Sequence, residues 1–77
     1  MQEQHVEVKK HLTPSQRIVQ YFKYEHLPPK LKDASKPFCV LAHQLEETLP
    51  DGPEKTFCLR QLLIAKDAGV RSAMEGE

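Results

Sequence analysis

The sequence predicts an all-α fold: a short N-terminal helix followed by an antiparallel two-helix hairpin, with copies assembling as a homo-oligomer. Three observations predict it. Two apolar stripes of helical period flank one short break, Leu49-Pro50-Asp51-Gly52-Pro53-Glu54-Lys55-Thr56. A helix-start pattern, Thr13-Pro14-Ser15-Gln16, opens a third and shorter apolar segment. The last stripe is apolar around more than half its girth, which a single partner helix cannot cover, so association with other copies is expected. So short a link between two long helices makes them antiparallel neighbours.

Length and charge bound the function. Seventy-seven residues make one domain at most and bury little core alone. Eleven basic and eleven acidic residues balance. No global field therefore draws the chain to DNA or to a membrane, and an anionic ligand has to be met by a local cluster. No apolar run is long enough to span a bilayer and no signal-peptide pattern is present, so a soluble, cytoplasmic protein is expected. Cys39 and Cys58 fit a reducing compartment and read as ordinary buried thiols.

Taken in order, residues 1–12 are polar and read as a flexible tail, although the alternation of His5-Val6-Glu7-Val8-Lys9 leaves a short edge strand open. Residues 13–75 form the helical domain. Thr13 caps the first helix, Pro14 takes its first position and Gln16 completes a capping box. Ile18, Val19 and Phe22 share the face of a helix about three turns long, which has to dock on something larger. In the connector that follows, the residues before Pro28 and Pro29 are pushed to extended angles. Tyr24 is there either a core residue with a satisfied hydroxyl or a platform for a base or sugar.

The first long helix begins at Pro29 or Lys30, and Pro37 either kinks it or restarts it with Ser35 as a cap. Phe38, Leu41, Ala42, Leu45 and Leu49 then make its buried face, with the methyl of Thr48 near it. At the break, Asp51 and Glu54 are expected to form a capping box, with Pro53 in the first turn of the next helix. That helix runs to about Met74. Leu59, Leu62, Leu63, Val70 and Ala73 form one seam, Phe57, Ile64 and Ala68 lie away from it, and Ala65, Ala68, Gly69, Ser72 and Ala73 would allow close helix approach.

Little supports catalysis. The sequence has no phosphate-binding Gly-rich loop, no zinc-ligand spacing and no nucleophile–base–acid set, so no catalytic residue, metal or cofactor is assigned. Cys39 and His43 are four apart, yet with His26 they fall short of a metal set. Glu46 and Glu47 read as solvated surface, and Lys23, Lys30, Lys32 and Lys36 as a loose basic group around the connector. The break itself is more specific. It leaves backbone amides free at a helix N-terminus, with Lys55, Thr56 and Arg60 close by, and such a place receives anions.

From Phe22 to about Met74 the chain also carries a series of motifs: Phe22-x-Tyr24, a Pro-containing connector, Leu41-Ala42, Pro50-Asp51-x-x-Glu54-Lys55-Thr56, Leu59-Arg60-x-Leu62 and Ala65-Lys66-Asp67-Ala68. Their order and spacing resemble a widespread family of small phage hairpin proteins. Its characterised members are anti-CBASS sponges, which sequester cyclic oligonucleotide immune signals; a related hairpin occurs in anti-Thoeris sponges for cyclic ADP-ribose-like signals. The resemblance implies a compact homohexamer acting in the cytoplasm of an infected bacterial host. It also implies cyclic dinucleotides bound between protomers, Tyr24 stacking on a base and Lys36 meeting a phosphate. A second site, for cyclic trinucleotides, would use the turn, where Gly52, Thr56 and Arg60 match and Lys55 stands beside them. The family's adjacent Tyr-His pair is interrupted here as Tyr24-Glu25-His26, which brings a negative charge toward the dinucleotide phosphate.

The sequence reading is therefore a non-catalytic sponge for cyclic di- and trinucleotides, with neither DNA nor membrane as partner. The alternative is an oligomeric helical-hairpin module that binds protein and no nucleotide. A nucleic-acid-binding regulator is disfavoured by the balanced charge and the lack of a recognisable helix-turn-helix.

Overall fold

A computed structural model describes residues 12–76. All regular structure among them is helical: α1 (Pro14–Val19) runs into a 3-10 turn (Gln20–Phe22), followed by α2 (Pro29–Thr48) and α3 (Pro53–Glu75). Apart from Leu12, the expected tail and its alternating segment lie outside the described residues.

α1 starts as its residues dictate. Gln16 N–H donates to Thr13 Oγ1 at 3.2 Å, and Thr13 N–H donates back to Gln16 Oε1 at 2.9 Å, so two amides without helical partners are satisfied reciprocally. The helix tightens to 3-10 geometry after Val19, and together the two segments bury Ser15, Ile18, Val19 and Phe22. α1 packs on both long helices.

α2 begins at Pro29 and continues through Pro37 to Thr48 without restarting. The proline ring leaves the Asp33 carbonyl without its usual amide donor. Apolar packing just beyond the proline outweighs that loss: Phe38, Cys39 and Leu45 lie against a core of Ile18, Val19, Phe22, Ala42 and Leu59. Ser35 is consequently no cap. It is wholly buried mid-helix, and its Oγ finds no hydrogen-bond partner among the described residues. The stripe read from the sequence is also only partly covered, because Leu41 and Thr48 are exposed, and the Thr48 hydroxyl donates to the Gln44 carbonyl at 2.9 Å.

α2 and α3 make the most extensive contact in the fold. Near the link, Lys55 reaches back to Glu46. Far from it, Gly69 faces Phe38, where an added Cβ would lie 3.0 Å from the ring. Gly69 thus allows close approach within one chain. The linkings of α1 follow α3: Thr13 and Ser15 stand beside Gly52 and Arg60, while Tyr21 and Lys23 stand beside Lys66 and Arg71. α1 and its 3-10 extension therefore lie along α3 from the link outward.

Candidate functional site

The link between α2 and α3 is built differently from the capping box that the sequence suggests. Pro53 occupies the first helical position, which puts Gly52 at the cap with φ 155° and ψ 175°. Only glycine adopts that conformation readily. Asp51 is thereby one residue too early to cap, and no side chain caps α3. The Asp51 carboxylate instead accepts from Lys55 Nζ at 2.9 Å. The same ammonium donates to the Glu46 carbonyl at 2.7 Å and lies 3.5 Å from Glu46 Oε1. Lys55 is 5% exposed. It braces the end of α2, the link and the start of α3, and its ammonium is occupied within the chain rather than offered to a ligand. The hydrogen bond to Asp51 chiefly raises its pKa, opposed by burial and assisted by the charge of Glu46.

Beside this brace a cavity of about 470 Å³ opens between the first turns of α3 and the start of α1. Gly52, Thr56 and Arg60 all line it, together with Thr13, Ser15 and the ring of Phe57. The amides of Glu54 and Lys55 lie in the first turn of α3 and have no intrahelical acceptor by helix geometry. The next amide, Thr56 N–H, already donates to the Gly52 carbonyl at 3.2 Å, and the Thr56 hydroxyl donates to the same oxygen at 3.3 Å. That hydroxyl has to rotate before it can donate to anything else, but it accepts as it stands. Arg60 is exposed and makes no ion pair among the described residues. Asp67, two turns further along the same helix, is taken by Lys66 at 3.1 Å. The cavity therefore offers a free guanidinium, a helix N-terminus and an aromatic face. The Asp51 carboxylate on its rim is held by Lys55. Such a set suits a phosphate joined to a planar group.

Tyr24 and Lys36 stand on different segments, the connector and α2. Tyr24 is half-buried on the connector, where its carbonyl accepts from Leu27 N–H at 3.0 Å. Lys36 is exposed on α2 and lines a shallow groove with Asp33, Pro37 and Val40. Burial, and then the charge of Glu25, raises the pKa of the Cys39 thiol. Both cysteines are free and half-buried. Among the described residues no three His, Cys, Asp or Glu side chains come together as a metal site needs.

Two aromatic residues escape the sequence reading of the site. Phe57 reads there as surplus apolar surface, and Tyr21 attracts no notice at all. The available signal for Tyr21 is its spacing of four from Arg17, which puts the two on one face, beside the buried face of Ile18 and Phe22.

No family model, curated protein or solved structure matches this chain. No helix among the described residues is long and apolar enough to cross a membrane.

Proposed function

We propose that this protein is a non-catalytic sponge. It would bind cyclic di- and trinucleotide second messengers and so lower the free signal available to antiphage immunity in an infected bacterial cytoplasm. The observation that carries the reading is the meeting of Gly52, Thr56 and Arg60 on one cavity at a helix N-terminus. These are the residues that the family resemblance assigns to a cyclic trinucleotide. Gly52 lets the ligand approach the backbone, the first-turn amides and Arg60 hold a phosphate, and the exposed ring of Phe57 offers a face for a base.

The working form would be a homo-oligomer, a hexamer of helical hairpins. Phe57 and Ile64 are 57% and 60% exposed, and their spacing of seven, continued by Ala68 four residues on, puts them on one outward face of α3 with Arg60. Copies meeting on that face would bring several Arg60 guanidinium groups to one polyanion. A dinucleotide site would likewise need two copies, Tyr24 from one and Lys36 from the other. Sedimentation at micromolar concentration should give a mass well above the 8.9 kDa chain, and Ala68→Glu should lower it, because it buries an unpaired charge.

Calorimetry against a panel of cyclic di- and trinucleotides tests the function. Tight binding of at least one is expected, together with a raised melting temperature. An oligomeric protein that binds none of them would instead be the protein-interaction module, for which the same exposed apolar residues speak.

A further inference from the structure

The grooves around Tyr21 belong to neither of the sites above. One, of about 280 Å³, lies between the connector and α3 and includes Lys23, Lys66 and Arg71. The other, of about 460 Å³, lies along α1 and includes Arg17 and Lys23. Tyr21 lines both and is 67% exposed, the largest exposure of any large apolar or aromatic side chain described. A lone exposed tyrosine is unremarkable on a protein surface. Here the ring stands between two concave surfaces, with cations on each side. In a chain with no net charge, these grooves gather four cations against the single carboxylate of Asp67, and that carboxylate is already paired with Lys66. Arg17, Lys23 and Arg71 form no ion pair among the described residues.

We propose that this surface binds single-stranded nucleic acid, with an unpaired base stacked on Tyr21 and the phosphates on either side of it held by Arg17 and Arg71, and Lys23 between them. An open aromatic face flanked by cations in two directions fits a strand that passes over the ring. A mononucleotide would use one groove only, and a duplex has no unpaired base to stack. A lipid surface fits less well, since Leu27 and Val70 beside the ring are half-buried and leave no apolar wedge to insert. The sequence alone points away from nucleic acid because its charges balance; the fold collects on one face what the chain scatters from Arg17 to Arg71. The proposal does not rest on the sponge reading.

The test is fluorescence anisotropy of the full chain with labelled twelve-residue oligo-dT and oligo-U in low salt. Both should bind, or one of them if the sugar is also read. Tyr21→Ala should weaken binding roughly five- to one-hundred-fold, as expected for one lost base stack, while Tyr21→Phe stays near the parent. Arg71→Gln should make binding less salt-dependent, lowering the log–log slope by about 0.7 as one phosphate contact is lost. Unlabelled cyclic trinucleotide should not displace the strand, and Tyr21→Ala should bind cyclic trinucleotide as the parent does. Circular dichroism confirms that each variant is folded. The proposal is overturned if neither strand binds, if folded Tyr21→Ala binds like the parent, or if heparin binds as tightly as the strands and with the same indifference to Tyr21. Tyr21-dependent binding to phosphatidylserine vesicles without strand binding would overturn it too, and assign the surface to membranes.

Discussion

Near the link, the first cation of α3 is used to hold the chain together. Lys55 is buried, bonded to Asp51 and to the Glu46 carbonyl, and the conformation beside it is one that glycine alone adopts readily. Toward the far end of the same helix Arg71 is exposed and, with Tyr21, Arg17 and Lys23 from the segment that lies along it, lines open grooves. Lys66 lies between these behaviours, half-buried and paired to its neighbour Asp67. The contrast shows that a cation near a helix N-terminus is not for that reason a ligand group. What decides is whether carboxylates and carbonyls of the same chain reach it first.

The largest expected effect tests whether the two ends belong to one cooperative unit. Leu59 is fully buried between them. Leu59→Ala should cost about 2–5 kcal/mol, since it leaves a cavity in a small core. Urea unfolding followed by circular dichroism and by tyrosine fluorescence should shift together. Transitions that separate would mean that the ends unfold independently, and the comparison would then concern two units.

A smaller effect separates backbone from packing. At Gly52 an added Cβ meets nothing within 4 Å, so only the backbone conformation resists substitution, and Gly52→Ala should cost about 1–3 kcal/mol. At Gly69 the backbone is helical, and an added Cβ would lie 3.0 and 3.2 Å from Phe38 ring carbons. Alanine there gains about 1 kcal/mol in helix propensity, which offsets part of the clash. Gly52→Ala should therefore lower the melting temperature more than Gly69→Ala; the reverse order would mean that the link relaxes freely.

The brace itself is best read through pH. Lys55 has its pKa raised above the ordinary 10.5, so its contribution is fully present below that value and is lost as pH rises through the higher, folded value. Lys55→Met should melt at a lower temperature than the parent at neutral pH, and the gap should close in alkali. Equal melting temperatures at pH 7 would remove the brace.

Much of this was legible in advance, and the gaps have physical causes. The Thr13–Gln16 box is purely local, since residue types at fixed spacing settle it, and it forms as read. The buried face of Ile18, Val19 and Phe22 follows from periodicity in the same way. Pro37 misleads because its local cost is outweighed by contacts with Ala42, Leu59 and their neighbours, which no window of sequence contains. Lys55 misleads for a related reason. A partner four residues away can be anticipated, but the carbonyl of Glu46 across the link cannot. Of the site candidates, Gly52, Thr56 and Arg60 meet because four and eight residues from a helix start fall on one side. Tyr24 and Lys36 lie on different segments with nothing in either pattern to relate them.

The smallest expected effect on the fold is at Arg60, and it bears directly on the contrast with Lys55. The two cations are five residues apart on one helix, yet Arg60 is exposed and unpaired among the described residues. Surface changes without partners shift stability by about 0.5 kcal/mol or less, so Arg60→Ala should melt like the parent. If Arg60 grips a phosphate, the same change should abolish cyclic trinucleotide binding at the turn while cyclic dinucleotide binding continues. Arg60→Lys sharpens the test. A guanidinium presents two parallel donors to a phosphate and an ammonium does not, so lysine should recover only part of the lost affinity. Full recovery would mean that charge alone attracts the ligand. Unchanged trinucleotide affinity in Arg60→Ala would exclude this residue from the site. Equal loss of both ligand classes, at a reduced sedimentation mass, would place Arg60 in contacts between copies instead.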